Sequence, residues 1–196
     1  QKTISSFNFQ EYEKLDFLKY EGPTDPTITG SFGNILTYKN LKLNVFVTYS
    51  FGNVIRLDPV FSNAYSDLDA MPKEFKNRWM KAGDENVTNI PTIVSTRMNQ
   101  QYAYLNMAYN AYNYSDVRIA DGGFIRLKEI SLSYDLPAKV INFFRLNKLQ
   151  LKLQATNLCL LYADSKLNGQ DPEFFRSGGV STPVPKQFTF TVRLGL

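Results

Sequence analysis

Strict alternation of apolar and polar residues predicts three β-strands, each with one apolar face. At the end of the chain, one side carries Phe188, Phe190, Val192, Leu194 and Leu196, and the residues between them are polar or glycine. Residues 41–51 repeat this pattern with one exception, and residues 148–157 repeat it again. A repeat of two residues is the period of a strand whose two faces meet different surroundings.

Two further segments also read as strands. Residues 28–38 are followed by Lys39-Asn40 and then by the strand that starts at Leu41, which predicts a tight hairpin. Residues 124–134 are apolar at alternate positions, but the alternation shifts between Leu127 and Ile130, which predicts a β-bulge. The expected strands are therefore approximately 28–38, 41–51, 124–134, 148–157 and 186–196.

The connections between these strands alternate in length. Residues 52–123 and 158–185 form long connections, 39–40 and 135–147 are short, and residues 1–27 form a long lead-in. Transmembrane β-barrels show this alternation, with short turns on one side and long loops on the other. The smallest such barrels have about eight strands, so we expect the missing strands to come from a larger parent chain or from a partner.

The composition argues against several classes of function. The charge of +4 comes from 22 basic and 18 acidic residues that are scattered along the chain, which argues against nucleic acid as a partner. The sequence has no stretch of about 18 apolar residues, so a transmembrane helix is not expected. Without histidine, the chain lacks the usual acid-base and metal-binding side chain. We therefore predict a protein that is not an enzyme, and expect Cys159 to be a buried thiol.

The long connection 52–123 is rich in aromatic residues. A short helix is expected at 72–79, with Pro72 near its first turn and Gly83 beyond its end. Aromatic side chains in an exposed loop can stack on sugar rings or on peptide side chains, or they can pack the loop on itself. The candidate contact residues are Trp79, Tyr102, Tyr104, Tyr109, Tyr112 and Tyr114.

Two acidic pairs, Asp84 with Glu85 and Asp171 with Glu173, lie in loops that contain glycine or proline. Paired carboxylates can hydrolyse a glycosidic bond or bind calcium, but in such loops they more often form turns. Neither pair has the spacing of a calcium loop. We predict no catalytic residue, no metal and no cofactor, and keep Asp171 and Glu173 as candidate contacts with a substrate or a partner.

A long run of residues resembles the SusC/RagA family of TonB-dependent outer-membrane transporters. Residues 121–137, DGGFIRLKEISLSYDLP, are similar to a characteristic strand of that family. The segments ATNL (155–158), DPE (171–173) and PVPKQFTF (183–190) follow in the expected order. Upstream, residues 33–41, residues 49–53, Arg78-Trp79 and Gly83-Asp84 also match. The resemblance covers nearly the whole chain and is weaker over residues 1–25.

The resemblance implies the last five strands of a 22-stranded barrel in the bacterial outer membrane, with long extracellular loops. It also implies a transporter that imports glycans or oligopeptides together with a SusD-like surface lipoprotein. In such a transporter, TonB acts through an N-terminal region that these residues do not include. The chain ends at Leu196, whereas outer-membrane barrels tend to end in an aromatic residue.

A different architecture explains the alternation equally well. In a soluble β-sandwich the apolar faces would pack on each other, and the aromatic loop would form a carbohydrate-binding site. This alternative does not explain a connection of about seventy residues, which is far longer than the loops usual in compact domains.

Overall fold

The computed structural model describes residues 18–60, 71–102, 105–143, 145–175 and 183–195. The chain forms two compact units. We call Pro23–Ile55 with Asp121–Leu196 the strand unit, and Gln1–Gly22 with Arg56–Ala120 the loop unit. The chain passes from one unit to the other after Gly22, within the short strand β3 (Val54–Arg56) and within the short strand β4 (Ile119–Asp121).

The strand unit is built on one antiparallel sheet of five strands. Its order is β1, β2, β5, β6, β7, so each long strand pairs with the next long strand in the chain. The strands are β1 (Ile28–Tyr38), β2 (Leu41–Phe51), β5 (Phe124–Asp135), β6 (Lys148–Ala163) and β7 (Gln187–Gly195). The short helix α3 (Ala138–Phe143) follows β5, and 3-10 turns lie at Ser165–Leu167 and Pro172–Phe174. The prediction of an all-β fold is confirmed.

The hairpin and the bulge are confirmed. Tyr38 lies opposite Leu41, and Lys39 turns the chain with φ of 51°. Asn40 then ties the hairpin to β5, because its Nδ2 donates to the Asp135 carbonyl at 2.7 Å and its own carbonyl accepts from the Asp135 amide at 2.9 Å. Lys128 of β5 has no Cα partner in β2 or in β6, because the pairing register with each of these strands shifts between Leu127 and Glu129.

The two faces of the sheet have opposite compositions. One surface, the apolar face, carries the cross-strand neighbours Leu36, Leu43, Leu132, Leu153 and Phe190. The other surface is the polar face. It carries serine, threonine, glutamine and charged residues of the same strands, among them Ser50, Arg126, Ser131, Gln150 and Thr189.

Burial of these faces is the reverse of that in a soluble protein. Leu153 and Phe190 on the apolar face are 59% and 61% exposed, whereas Arg126 and Ser131 on the polar face are 5% and 4% exposed. A soluble monomer rarely exposes a contiguous apolar patch of more than a few hundred square ångströms. Within the described residues this sheet has no second layer on its apolar face, so the sandwich alternative lacks the packing it requires.

Two local expectations are wrong. Strand β6 continues to Ala163 through residues expected in a loop, because register shifts and a left-handed residue, Asn157 with φ of 54°, keep it paired with β5. Cys159 is exposed rather than buried, since it shares the apolar face with Leu127. The expected short helix at 72–79 is present as a shorter 3-10 helix, Lys73–Asn77, which begins directly after Pro72. Among the described residues, no helix combines the length and apolar character needed to cross a membrane.

A buried ion pair anchors the loop after β6 to the polar face. Arg126 Nη2 lies 2.6 Å from Asp171 Oδ1 and 2.7 Å from Asp171 Oδ2, and both side chains are almost fully buried. The half-exposed Glu173 adds a second carboxylate 3.1 Å from the same nitrogen. Asp171 also accepts from the Glu173 amide and so begins the 3-10 turn. These carboxylates bind an arginine of the fold.

Replacing Asp171 is therefore expected to release this loop. The change Asp171→Asn removes the main counter-charge of a buried guanidinium. It should lower the free energy of unfolding by about 3 kcal/mol, the lower end of the range for breaking a buried ion pair, because Glu173 remains. Thermal unfolding and limited proteolysis of the full-length protein measure the effect, with cleavage expected within 164–175. The control Glu173→Gln should cost less than about 1 kcal/mol, since its side chain is partly exposed. Equal effects of the two changes would contradict this assignment.

Candidate functional site

The loop unit brings part of the predicted aromatic cluster together. It contains helices α1 (Thr96–Gln101) and α2 (Leu105–Asn113) and 3-10 turns at Lys73–Asn77, Asp84–Asn86 and Asp116–Arg118. Trp79, Tyr109 and Tyr112 line one cavity of about 380 Å³. Leu105 and Ala108 of α2 contribute apolar wall on the same side. The cavity is thus mostly apolar, with three aromatic side chains in its lining.

Glu85 supplies the carboxylate of this cavity. Its Oε2 accepts a hydrogen bond from Trp79 Nε1 at 3.0 Å and another from the Gly83 amide at 2.8 Å. The indole bond lowers the pKa of the Glu85 carboxyl most, and backbone amides lower it further. Gly83 has φ of 102°, a conformation that glycine adopts without strain. The tight turn therefore fixes an ionised carboxylate beside the indole.

The Tyr109 side chain lines the same cavity. Tyr109 is buried, and its hydroxyl donates to the carbonyl of Thr92, which holds α2 against the segment that carries Ile90 and Pro91. Burial raises the pKa of the Tyr109 hydroxyl, so the group remains a donor at neutral pH. The Trp79 amide donates to the Ile90 carbonyl at 2.9 Å and joins the tryptophan to the same segment.

The third ring is positioned by a buried arginine. The guanidinium of Arg118 lies over the Tyr112 ring, 5.7 Å from its centroid, and Nη2 is 2.8 Å from Glu74 Oε1. Nη2 also donates to the Asp58 carbonyl at 2.5 Å. Burial lowers the pKa of Arg118, but the bond to Glu74 and its charge outweigh that effect and raise the pKa above its ordinary value. Arg118, whose charge is balanced by Glu74, thus supports the Tyr112 ring in the cavity wall.

The remaining candidates lie elsewhere. The structure places Tyr114 outside this cavity, with the Arg56 guanidinium 5.5 Å from its ring centroid. Tyr102 is also outside the lining, while Tyr104 lies outside the described residues. Asp171 and Glu173 belong to the ion pair of the strand unit.

The cavity has an apolar lining with one fixed carboxylate. Concave, mostly apolar surfaces with a few fixed polar groups are typical of ligand pockets. Asp84 accepts bonds from the amides of Met80 and Lys81, both at 3.1 Å, so it shapes the turn beside Glu85. In the described part of the chain, no cluster of three or more acidic or cysteine residues could hold a metal ion.

Similar proteins are large receptors and importers. No protein-family model matches the chain. A TonB-dependent receptor of Formosa agariphila, "TonB-dependent receptor P3", is 27% identical over 155 residues, which is 79% of this chain and 14% of that protein. Solved structures of the RagAB peptide importer in its open-open state and of the RagAB peptide transporter match with TM-scores of 0.62 and 0.61. They are 21% and 22% identical and cover 91% and 89% of this chain, but only 18% of theirs.

The chain is similar in sequence to a TonB-dependent receptor and in fold to the RagAB transporter. This relationship confirms the resemblance read from the sequence, and the outer-membrane location with it. The SusC/RagA relatives are receptors and importers, which agrees with the prediction of a non-catalytic chain. The chain spans less than a fifth of their length.

The bond between Trp79 and Glu85 predicts a pH effect on this site. Because the pKa of Glu85 lies below the ordinary value of 4.5, the bond stabilises the turn fully above that pH. The stabilisation is lost as the pH falls through the lowered pKa. Fluorine NMR of fluorotryptophan at position 79 in the full-length protein should show a constant resonance from pH 7 to 4.5 and a shift below it. Glu85→Gln should abolish the transition, and a midpoint at or above 4.5 would contradict the geometry.

Proposed function

We propose that this chain is the C-terminal portion of a 22-stranded outer-membrane barrel and supplies its last five strands. The observation that carries this proposal is the exposed apolar face, opposite a polar face whose Arg126, Ser131 and Gln150 are buried. In a membrane barrel the outer surface contacts hydrocarbon and the lumen is polar. Residues 1–27 and the long connections 52–123 and 164–186 then lie outside the cell, and the short connections lie in the periplasm.

The complete protein imports nutrients in this proposal. It takes up oligopeptides or glycans together with a SusD-like surface lipoprotein, and TonB acts on a region beyond this chain. The relationship to a TonB-dependent receptor supports the energised mechanism, and the similarity in fold to the RagAB peptide importer favours peptides.

The cavity of the loop unit is the proposed contact site for substrate. Its three aromatic rings offer flat apolar surface, and Glu85 offers one fixed negative charge. An inserted side chain or ring fits a concave wall of this kind better than it fits a flat protein surface. Trp79, Tyr109 and Tyr112 therefore take the substrate role, whereas Tyr102 and Tyr114 remain candidates for contact with the lipoprotein.

Charge on the apolar face should prevent insertion into the membrane. Val45→Arg places a guanidinium in hydrocarbon near the middle of β2 and should cost about 2–4 kcal/mol. Leu151→Arg lies level with Tyr134 and Leu41, beside the hairpin, and should cost less. Quantifying the full-length protein in purified outer membranes measures the effect.

The matched control for insertion is Thr189→Arg on the exposed part of the polar face, which should insert normally. Gln150→Arg is a poorer control, because Gln150 is buried and donates to Asp135 Oδ1 at 2.9 Å. Equal membrane levels of Val45→Arg, Leu151→Arg and Thr189→Arg would show that the faces are assigned the wrong way.

Removing one ring of the loop cavity should weaken uptake. Trp79→Ala deletes an aromatic surface worth about 1.4 kcal/mol or more, which corresponds to about a tenfold loss of affinity. Uptake of labelled oligopeptides and oligosaccharides by cells that express the full-length protein with its lipoprotein gives the measurement. Val87→Ala, an exposed apolar residue of the loop unit outside the cavity lining, serves as the control and should retain uptake. If cells with and without the wild-type protein take up both kinds of substrate equally, the transport proposal fails.

A further inference from the structure

The cavity of the loop unit has a negatively charged lining. Among the described residues that line it, Glu85 alone is charged at neutral pH, and neither lysine nor arginine takes part. The other lining residues are aromatic, aliphatic or neutral and polar. A group that enters the cavity therefore meets aromatic surface and one carboxylate.

The charge of Glu85 is not balanced by a cation of the protein. In the described part of the chain, no lysine or arginine forms an ion pair with it. The groups that lower its pKa are the indole of Trp79 and backbone amides, which are neutral donors and leave the negative charge in place. In the same turn, Asp84 accepts from the backbone amides of Met80 and Lys81. The turn thus carries two adjacent carboxylates that are held by neutral groups.

The hydrogen bond between Trp79 and Glu85 favours a cation on the indole ring. A positive group over an aromatic face is attracted by the negative face of the ring, and tryptophan gives the strongest attraction of this kind. The Nε1 atom of Trp79 donates to Glu85 at 3.0 Å, so an anion lies at the edge of the ring and polarises it. The same bond fixes the ring before a ligand arrives, which reduces the entropy lost on binding.

The arginine behind the cavity wall does not remove this preference. The guanidinium of Arg118 lies 5.7 Å from the centroid of the Tyr112 ring, but Arg118 is not part of the lining. Its charge is balanced by Glu74, whose Oε1 is 2.8 Å from Nη2. Its repulsion of a positive ligand is therefore largely offset, whereas the attraction of Glu85 is not.

The volume of the cavity sets the size of the bound group. At about 380 Å³ it lies near the lower end of the range for small-molecule pockets, roughly 300–1,000 Å³. We propose that the cavity binds an alkylammonium group of the substrate, which lies against the Trp79 ring and pairs with the Glu85 carboxylate. This inference rests on the proposed transport function and names the group that the cavity selects. A basic side chain and an amino sugar both carry such a group.

Calorimetric titration of the purified full-length transporter with its lipoprotein tests the site with two pairs of probes. One pair is acetyl-Ala-Ala-Lys-Ala-amide and its norleucine counterpart, and the other is the tetramer of glucosamine and that of N-acetylglucosamine. The second member of each pair lacks the ammonium. At about pH 6, where Glu85 and the amines are charged, the ammonium member should bind about fivefold to tenfold more tightly.

The two pairs identify the source of the ammonium. A preference within the peptide pair alone supports a basic side chain, and one within the saccharide pair alone supports an amino sugar. Equal affinities within both pairs would overturn the proposal, as would the absence of binding by all four probes. Because the attraction is electrostatic, the preference should also decrease as the salt concentration rises, and a preference that salt does not change would contradict the pairing with Glu85.

Variants of Glu85 locate the cation. Glu85→Gln removes the charge but keeps an oxygen that can accept from Trp79, so it should abolish the preference while the neutral probe binds within about twofold of the wild type. Glu85→Asp keeps the charge and should retain part of the preference. Asp116→Asn removes a negative charge from the same unit outside the lining and should retain all of it.

Three outcomes with these variants would overturn the site. The first is an unchanged preference in Glu85→Gln, and the second is an equal loss of preference in Asp116→Asn. The third is the loss of all binding in Glu85→Gln and Glu85→Asp alike, which would assign Glu85 to the fold of the turn.

The failure of this site can be separated from the failure of the transport function. If cells import the probes while the wild-type protein binds both members of each pair equally, only the site is wrong. If cells with and without the wild-type protein take up all four probes equally, the transport function is wrong irrespective of Glu85.

Discussion

The apolar face of the five-stranded sheet must be kept out of water, and the rest of the structure follows from this requirement. Rows of leucine and phenylalanine on neighbouring strands form one surface, which includes Leu36, Leu153 and Phe190. In the described sheet, β1 and β7 each pair on one side only, so both edges need partners as well. In the membrane barrel that we propose, hydrocarbon outside and further strands at both edges satisfy the two needs together.

This constraint explains why the polar groups are held where they are. When the apolar side faces lipid, charged and hydroxyl groups collect on the opposite face, and they need partners there. Arg126 finds Asp171 and Glu173 in the loop after β6, and Gln150 finds Asp135 at the end of β5. Buried polar groups of this face are thus held by specific structural pairs.

The sequence predicts what is local and periodic. Alternation identifies the five strands, the hairpin at Lys39-Asn40, and the bulge at Lys128, because each depends on near neighbours in the chain. The end of β6 was missed, since Asn157 in the left-handed region lets pairing continue where the alternation stops. The sequence pattern does not predict the long-range ion pairs, because Arg126 with Asp171 and Arg118 with Glu74 lie 45 and 44 positions apart in the chain. Nor does sequence distinguish cavity-lining aromatic residues from Tyr114.

The accessibility of two adjacent residues in β7 tests the central claim most directly. Phe190 and Thr189 are both exposed and point to opposite faces. Spin labels at Phe190→Cys and Thr189→Cys, in full-length protein with Cys159 replaced by serine, can be compared in lipid bilayers by their collisions with oxygen and with a water-soluble nickel chelate. A label at position 190 should collide with oxygen and be shielded from nickel, and a label at 189 should show less oxygen contact. Strong nickel contact at position 190 would contradict a lipid-facing apolar surface.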